Sequence, residues 1–212
     1  MNKKHLETIA VLDFGSQYTQ LIARRIRENN IYSEIFPFDI DINTIKDKNI
    51  KAIILSGGPS SVYDDDAPKL NSELLSLKIP ILGICYGLQL LLYNFGGKII
   101  KGKVGEYGNA TINQLTDNIL FEKIPNQINV WMSHADKVEE INNNWKVLAQ
   151  SKNKIIAAVQ HSHKQVFGVQ FHPEVTHTDF GKKIISNFLF KICRLKKNWN
   201  AENFINDSIK EI

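Results

Sequence analysis

The pentapeptide Gly83-Ile84-Cys85-Tyr86-Gly87 constrains this chain most. It stands between an apolar run, residues 79–84, and a helical stretch, residues 86–95. Small residues on either side of a central nucleophile permit a sharp strand-to-helix turn. Such a turn lifts the side chain clear of a sheet and sets it at a helix N-terminus. Free N–H groups and the helix dipole there favour a thiolate, the nucleophilic form of cysteine. The pattern therefore predicts a strand, a tight elbow and a helix, with Cys85 as a candidate catalytic nucleophile.

The surrounding sequence repeats the strand-then-helix theme. Residues 8–14 and 52–56 read as buried strands, and 33–36 as a short one. Residues 17–28 carry Leu21, Ile22, Arg25 and Ile26 at helical spacing, with Leu21, Ile22 and Ile26 inward. Residues 70–77 look helical. Gly96-Gly97 closes the helix that opens at Tyr86. Alternation of this kind predicts an α/β fold with a mostly parallel central sheet and flanking helices.

The second half changes style. Residues 98–103, 110–115, 128–133, 146–151, 155–160 and 166–170 are strand-like with turns between them, which predicts antiparallel additions. Residues 178–192 form an amphipathic closing helix. Beyond Cys193, a basic connector (194–197) leads to a second amphipathic pattern, residues 200–212. The apolar stripe of Phe204, Ile205, Ile209 and Ile212 needs a cover. Either it folds back on its own domain or it leads to a further one, the second being expected. The expected division is thus 1–193 for the domain and 194–212 for a linker and helix.

Composition sets the class. The chain has 212 residues, 43% of them hydrophobic and 23% charged, enough to fill a core. Its net charge of +4 is scattered, so no nucleic-acid footprint stands out. Two distant cysteines are no disulfide framework, and no apolar run is long enough to span a bilayer. A cytoplasmic protein without membrane attachment is expected.

A thiolate needs a proton shuttle. Of six histidines, His172 is the strongest candidate. It follows an apolar strand and sits in His172-Pro173-Glu174, where Glu174 can face the same side and hold the imidazole's tautomer. His161 and His163 read as an exposed turn. Gly57-Gly58-Pro59 ends a strand and would let main chain approach a ligand closely. The Tyr86 amide and a second donor from Gly57-Gly58-Pro59 are thus candidates for an oxyanion site. Cys193, without an elbow, reads as a small buried hydrophobe.

Three segments, Gly83-Ile-Cys-Tyr-Gly-Leu-Gln89, Ser56-Gly-Gly-Pro59 and Gly168-Val-Gln-Phe-His-Pro-Glu174, together resemble the class I (triad-type) glutamine amidotransferases. Asp13-Phe-Gly-Ser-Gln-Tyr-Thr-Gln20, residues 56–63, 130–138 and 172–178 are most similar to the amidotransferase domain of the GMP synthases. The resemblance covers residues 7–193. It implies Cys85 as nucleophile, His172 as general base and acid, and Glu174 as its orienting partner. It implies an oxyanion hole at Gly58 and Tyr86. It also implies a glutamine pocket around Gly57, Gly58, Gln89, Ser133, His134 and Asp136. The role of residues 13–17 stays open between packing, domain contact and catalysis. In the loop Gly105-Glu106-Tyr107-Gly108 the family often has a basic residue where Gly105 stands here.

No metal and no cofactor are implied for this domain. ATP and magnesium belong to an ATP pyrophosphatase partner that would use the ammonia to aminate XMP. The phosphate loop of that partner is not in this sequence, so the chain is expected to be either the N-terminal part of a larger enzyme, which the linker-like tail favours, or a separate subunit that meets its partner in trans; the full enzyme is expected to be oligomeric. A gamma-glutamyl hydrolase and a non-catalytic regulatory module are the rival readings.

Overall fold

A computed structural model describes residues 7–197 and 199–200, without the side chains of Lys103 and Val104. Nine strands form one sheet: β1 (Thr8–Asp13), β2 (Tyr32–Pro37), β3 (Ile50–Leu55), β4 (Ile81–Ile84), β5 (Lys98–Gln114), β6 (Gln127–Glu140), β7 (Trp145–Ser151), β8 (Ile156–His161) and β9 (Val166–Val169). Their order across the sheet is β2-β1-β3-β4-β9-β8-β7-β5-β6. The pairs from β2 to β9 are parallel. The pairs from β9 to β6 are antiparallel.

The residue patterns explain this division. β3, β4 and β9 are apolar runs, buried along almost their whole length. Strands covered on both faces need that pattern, which is why they sit in the parallel half. β6 alternates buried and exposed residues through much of its length, as a strand with one open face does.

Among the described residues four α-helices flank the sheet: α1 (Thr19–Arg27), α2 (Ile42–Asp47), α3 (Tyr86–Asn94) and α4 (Gly181–Asn187), the last running on into a π-turn at Phe188–Ile192. Ile22, Ile26, Ile184, Ile185, Phe188 and Leu189 form the core on one face. On the other face α3 is apolar nearly all round, and every residue from Tyr86 to Leu92 is buried. A helix of that kind can only lie inside the protein.

Several expectations need correction. Residues 70–77 contain only a 3-10 stretch, Ser72–Ser76; with its apolar residues concentrated in Leu74 and Leu75, it has too little to bury for a longer helix. The runs 98–103 and 110–115 join into the single strand β5, which bulges between Lys101 and Glu106. Helix α2, capped by the Asp41 carboxylate on the Asn43 amide, had no distinguishing periodicity. On α1, Leu21 is only half-buried, whereas Ala23 and Arg25 are buried. Past the closing helix, Leu195 is buried and the Trp199 amide donates to the Asn30 carbonyl (3.0 Å). The expected helix at 200–212 lies outside the described residues except for Asn200. No helix among the described residues is long and apolar enough to cross a membrane.

Candidate active site

The elbow forms where β4 meets α3. Cys85 has φ 52° and ψ −107°, a conformation rare for a residue with a side chain. The main chain can turn this tightly because Gly83 and Gly87 pack against their surroundings. A Cβ on Gly83 would lie 2.6 Å from the Gly87 carbonyl, and one on Gly87 would lie 2.6 Å from the Leu55 carbonyl. Three backbone bonds hold the turn: Cys85 N–H to Val169 O (2.8 Å), Gly87 N–H to Ser56 O (3.1 Å) and Gln89 N–H to Cys85 O (3.2 Å). As the first residue of α3, Tyr86 has an amide with no acceptor inside the helix.

His172 arrives from the neighbouring strand. The loop after β9 is fixed on both sides: the His172 amide donates to Trp131 O (3.0 Å), and Thr178 Oγ1 donates to His172 O (2.6 Å). Within it, His172 Nδ1 lies 2.7 Å from Glu174 Oε1, and Glu174 is fully buried. Arg25 Nε reaches across from α1 to the Glu174 carbonyl (2.8 Å), while its Nη1 pairs with Glu28 (2.9 Å). Tyr18 packs its ring against His172 with centroids 5.1 Å apart.

Burial alone would lower the His172 pKa. Its hydrogen bonds to Cys85 and Glu174, and their charges, outweigh that and raise it to about 10. The folded state thus favours the imidazolium. Such a raised value adds stability that is complete below the ordinary histidine value of about 6.5 and disappears as pH rises through about 10. Urea unfolding should therefore show stability declining between pH 6.5 and 10. In Glu174→Gln that decline should be shallower; an equal slope would remove the carboxylate from the account.

A cavity of about 540 Å³ opens over the sulfur. Gly58, Cys85, Tyr86, Gln89, Ser133, His134, Asp136 and His172 all line it. Gly57 and Glu174 lie behind this wall; a Cβ on Gly57 would come 3.1 Å from His172 Cε1. Gln89 is committed to the protein itself, its Nε2 donating to Asp136 O (3.0 Å). His134 is buried on its own strand, with Nδ1 2.8 Å from Asp136 O and Nε2 3.6 Å from Glu106. Burial pulls its pKa down, more than the Asp136 carbonyl and Glu106 push it up.

The open question of residues 13–17 resolves in part: Gly15, Ser16 and Gln17 line the cavity, as do Tyr18, Lys101 and Tyr107. Arg25 went unrecognised as a support of Glu174. Its signal was an arginine on an otherwise apolar helix stripe, which requires a buried partner. His161 corrects the exposed-turn reading. It is buried against Phe95 and Trp145, while His163 is exposed. Burial pushes the Cys193 thiol up, away from reactivity. Among the described residues no His, Cys, Asp and Glu cluster could hold a metal ion.

The frame behind the His-Glu loop leaves no spare room. A Cβ on Gly181 would lie 2.1 Å from the carbonyl oxygen of Pro173, the residue between His172 and Glu174. Gly181→Ala should cost about 1–3 kcal/mol in denaturant unfolding, because backbone must move.

The family model for the class-I glutamine amidotransferases matches residues 10–192. The chain belongs to that family. Among curated amidotransferase relatives, the glutamine-hydrolyzing GMP synthase of Thermosipho melanesiensis is 49% identical over 207 residues, 98% of this chain and 40% of its own length. That of Brachyspira hyodysenteriae is 48% identical over 99% of this chain and 41% of its own. The chain thus spans about 40% of the length of these relatives. A crystal structure from Thermoplasma acidophilum, named as that of a GMP synthase subunit, superposes with a TM-score of 0.77 at 28% identity, over 90% of this chain and 95% of that one. A glutamine amidotransferase structure from Thermotoga maritima shares the fold, with a TM-score of 0.71 at 17% identity, over 90% of this chain and all of that one.

Proposed function

We propose that this chain hydrolyses glutamine to glutamate and ammonia through Cys85, His172 and Glu174, and supplies the ammonia for amination of XMP to GMP. The observation that carries this reading is the array of Cys85 and His172 on the wall of one cavity, with buried Glu174 bonded to His172 behind it.

Cys85 Sγ attacks the side-chain amide carbon of glutamine, and the carbonyl π-electrons move to oxygen. The Gly58 and Tyr86 N–H groups receive that oxyanion. Losing one such donor typically costs roughly 3 kcal/mol of transition-state stabilisation. His172 gives its proton to the departing nitrogen, which leaves as ammonia, and a glutamyl thioester remains. The neutral imidazole then takes a proton from water as the water attacks, and the C–S bond breaks to release glutamate. Glu174 orients the imidazole throughout. Ser133, His134 and Asp136 belong to the glutamine pocket, with Gln89 and Gly57 supporting its wall.

The acceptor is an ATP pyrophosphatase domain, which accounts for the additional length of the relatives. ATP and magnesium serve that partner, and the complete enzyme is oligomeric. Residues 1–193 act as the amidotransferase domain and 194–212 as its connection. The test is a glutaminase assay with and without the matching ATP pyrophosphatase domain and its nucleotides. Ammonia release that rises with the partner is expected. Cleavage of gamma-glutamyl peptides in preference to glutamine, indifferent to the partner, would overturn the reading.

A further inference from the structure

We infer that Gln170 is a positioning residue that donates a hydrogen bond to the Cys85 sulfur and so supports its anionic form; the inference rests on the proposed role of Cys85. Gln170 follows β9, fully buried, two residues before His172. Its Nε2 lies 3.7 Å from Cys85 Sγ, and its Oε1 lies 3.3 Å from Gln89 Nε2.

The direction of this amide is forced. Gln89 must turn its NH₂ toward the Asp136 carbonyl (3.0 Å), because a carbonyl can only accept. The same NH₂ faces Gln170, so Gln170 must present its oxygen there. A reversed Gln170 would set two donors against each other between two buried side chains, at the cost of an unmade buried hydrogen bond. Gln170 is therefore left with its NH₂ toward the sulfur. The relay runs from the Asp136 carbonyl through Gln89 and Gln170 to Cys85.

The sulfur's other neighbours show why this matters. The Ser133 carbonyl lies 3.6 Å from Sγ and suits a protonated thiol, whose hydrogen it can accept. Once the proton has left, that oxygen faces a negative charge. His172 and Gln170 then supply donors, one movable during turnover and one fixed. A hydrogen bond to an ionised group is stronger than one to a neutral group, so Gln170 favours the thiolate over the thiol.

The test reads the sulfur directly and needs no glutamine turnover. Cys85 alkylation by iodoacetamide is followed by peptide mass spectrometry across pH in the full chain, which separates it from Cys193. In Gln170→Met the rate at pH 7 should fall about three- to tenfold and the pH midpoint should move upward. Gln170→Glu, which can turn a carboxylate toward the sulfur, should shift it further. Gln89→Met should act in the same direction, and Gln89→Met with Gln170→Met together should show less than the sum. Circular dichroism identifies folded variants. If either folded Gln170 variant keeps the parental alkylation profile, the inference is wrong. Loss of glutaminase activity with an unchanged profile also rejects it, while leaving the role of Cys85 intact. A variant profile that shifts in a chain inactive toward glutamine even with the ATP pyrophosphatase partner and its nucleotides present supports the relay and rejects the proposed substrate instead.

Discussion

Cys85→Ala is expected to reduce glutamine hydrolysis by at least about 10⁴-fold, to the background of the assay, with the fold retained. Removing the nucleophile of a catalytic array typically costs that much or more, because the remaining groups have nothing to activate. The fold should survive because alanine keeps the small buried volume and the elbow is held by backbone bonds to Val169 and Ser56. Cys85→Gly should be equally inactive yet more stable than Cys85→Ala by about 1 kcal/mol, since glycine adopts a φ of 52° without strain. Ammonia production and urea unfolding, measured on both variants, check these outcomes. Ammonia release at the parental rate from Cys85→Ala would take the sulfur out of the reaction.

Gly87→Ala should damage stability and activity together. The added Cβ would lie 2.6 Å from the Leu55 carbonyl oxygen and 2.7 Å from its Cβ. Leu55 ends β3 at the centre of the parallel half, so it cannot withdraw, and α3 must move outward instead. Overpacking of this kind costs about 1–3 kcal/mol. The movement also carries Cys85 and the Tyr86 amide away from His172. Misplacement on the scale of 1 Å can cost about 10²-fold in rate. Paired measurements of kcat and the unfolding midpoint should show both losses. A stable Gly87→Ala with unchanged kcat would mean that the elbow tolerates a wider approach to β3.

Much of the candidate site's geometry was legible because it is local. The elbow is five consecutive residues, and His172-Pro173-Glu174 is three. Strands β3, β4 and β9 of the parallel half announced themselves as apolar runs, which the structure buries almost completely. What could not be read depends on partners distant along the chain. Arg25 and Glu174 are 149 residues apart, and Gln170 and Cys85 are 85 apart. No local pattern states that they meet. His161 was misjudged for a related reason. Ser162 and His163 beside it are exposed, yet pairing of β7 with β8 sets His161 opposite Trp145, and Phe95 packs on it. The bulge in β5 broke the alternation that would have joined its two halves.

The order of the strands has a consequence for synthesis. β9 is last along the chain but fifth of nine across the sheet. When β1 to β4 have left the ribosome, β4 has an open apolar edge where β9 will lie. About 80 residues separate Ile84 from Val166, which at typical elongation rates of about 5–20 residues per second leaves that edge unpaired for roughly 4–16 s. An open edge of this kind invites pairing with other chains. During the same interval Cys85 already exists but His172, Glu174 and Gln170 do not. On the proposed mechanism, the nascent chain therefore carries a thiol without its proton shuttle until the insertion that completes the sheet.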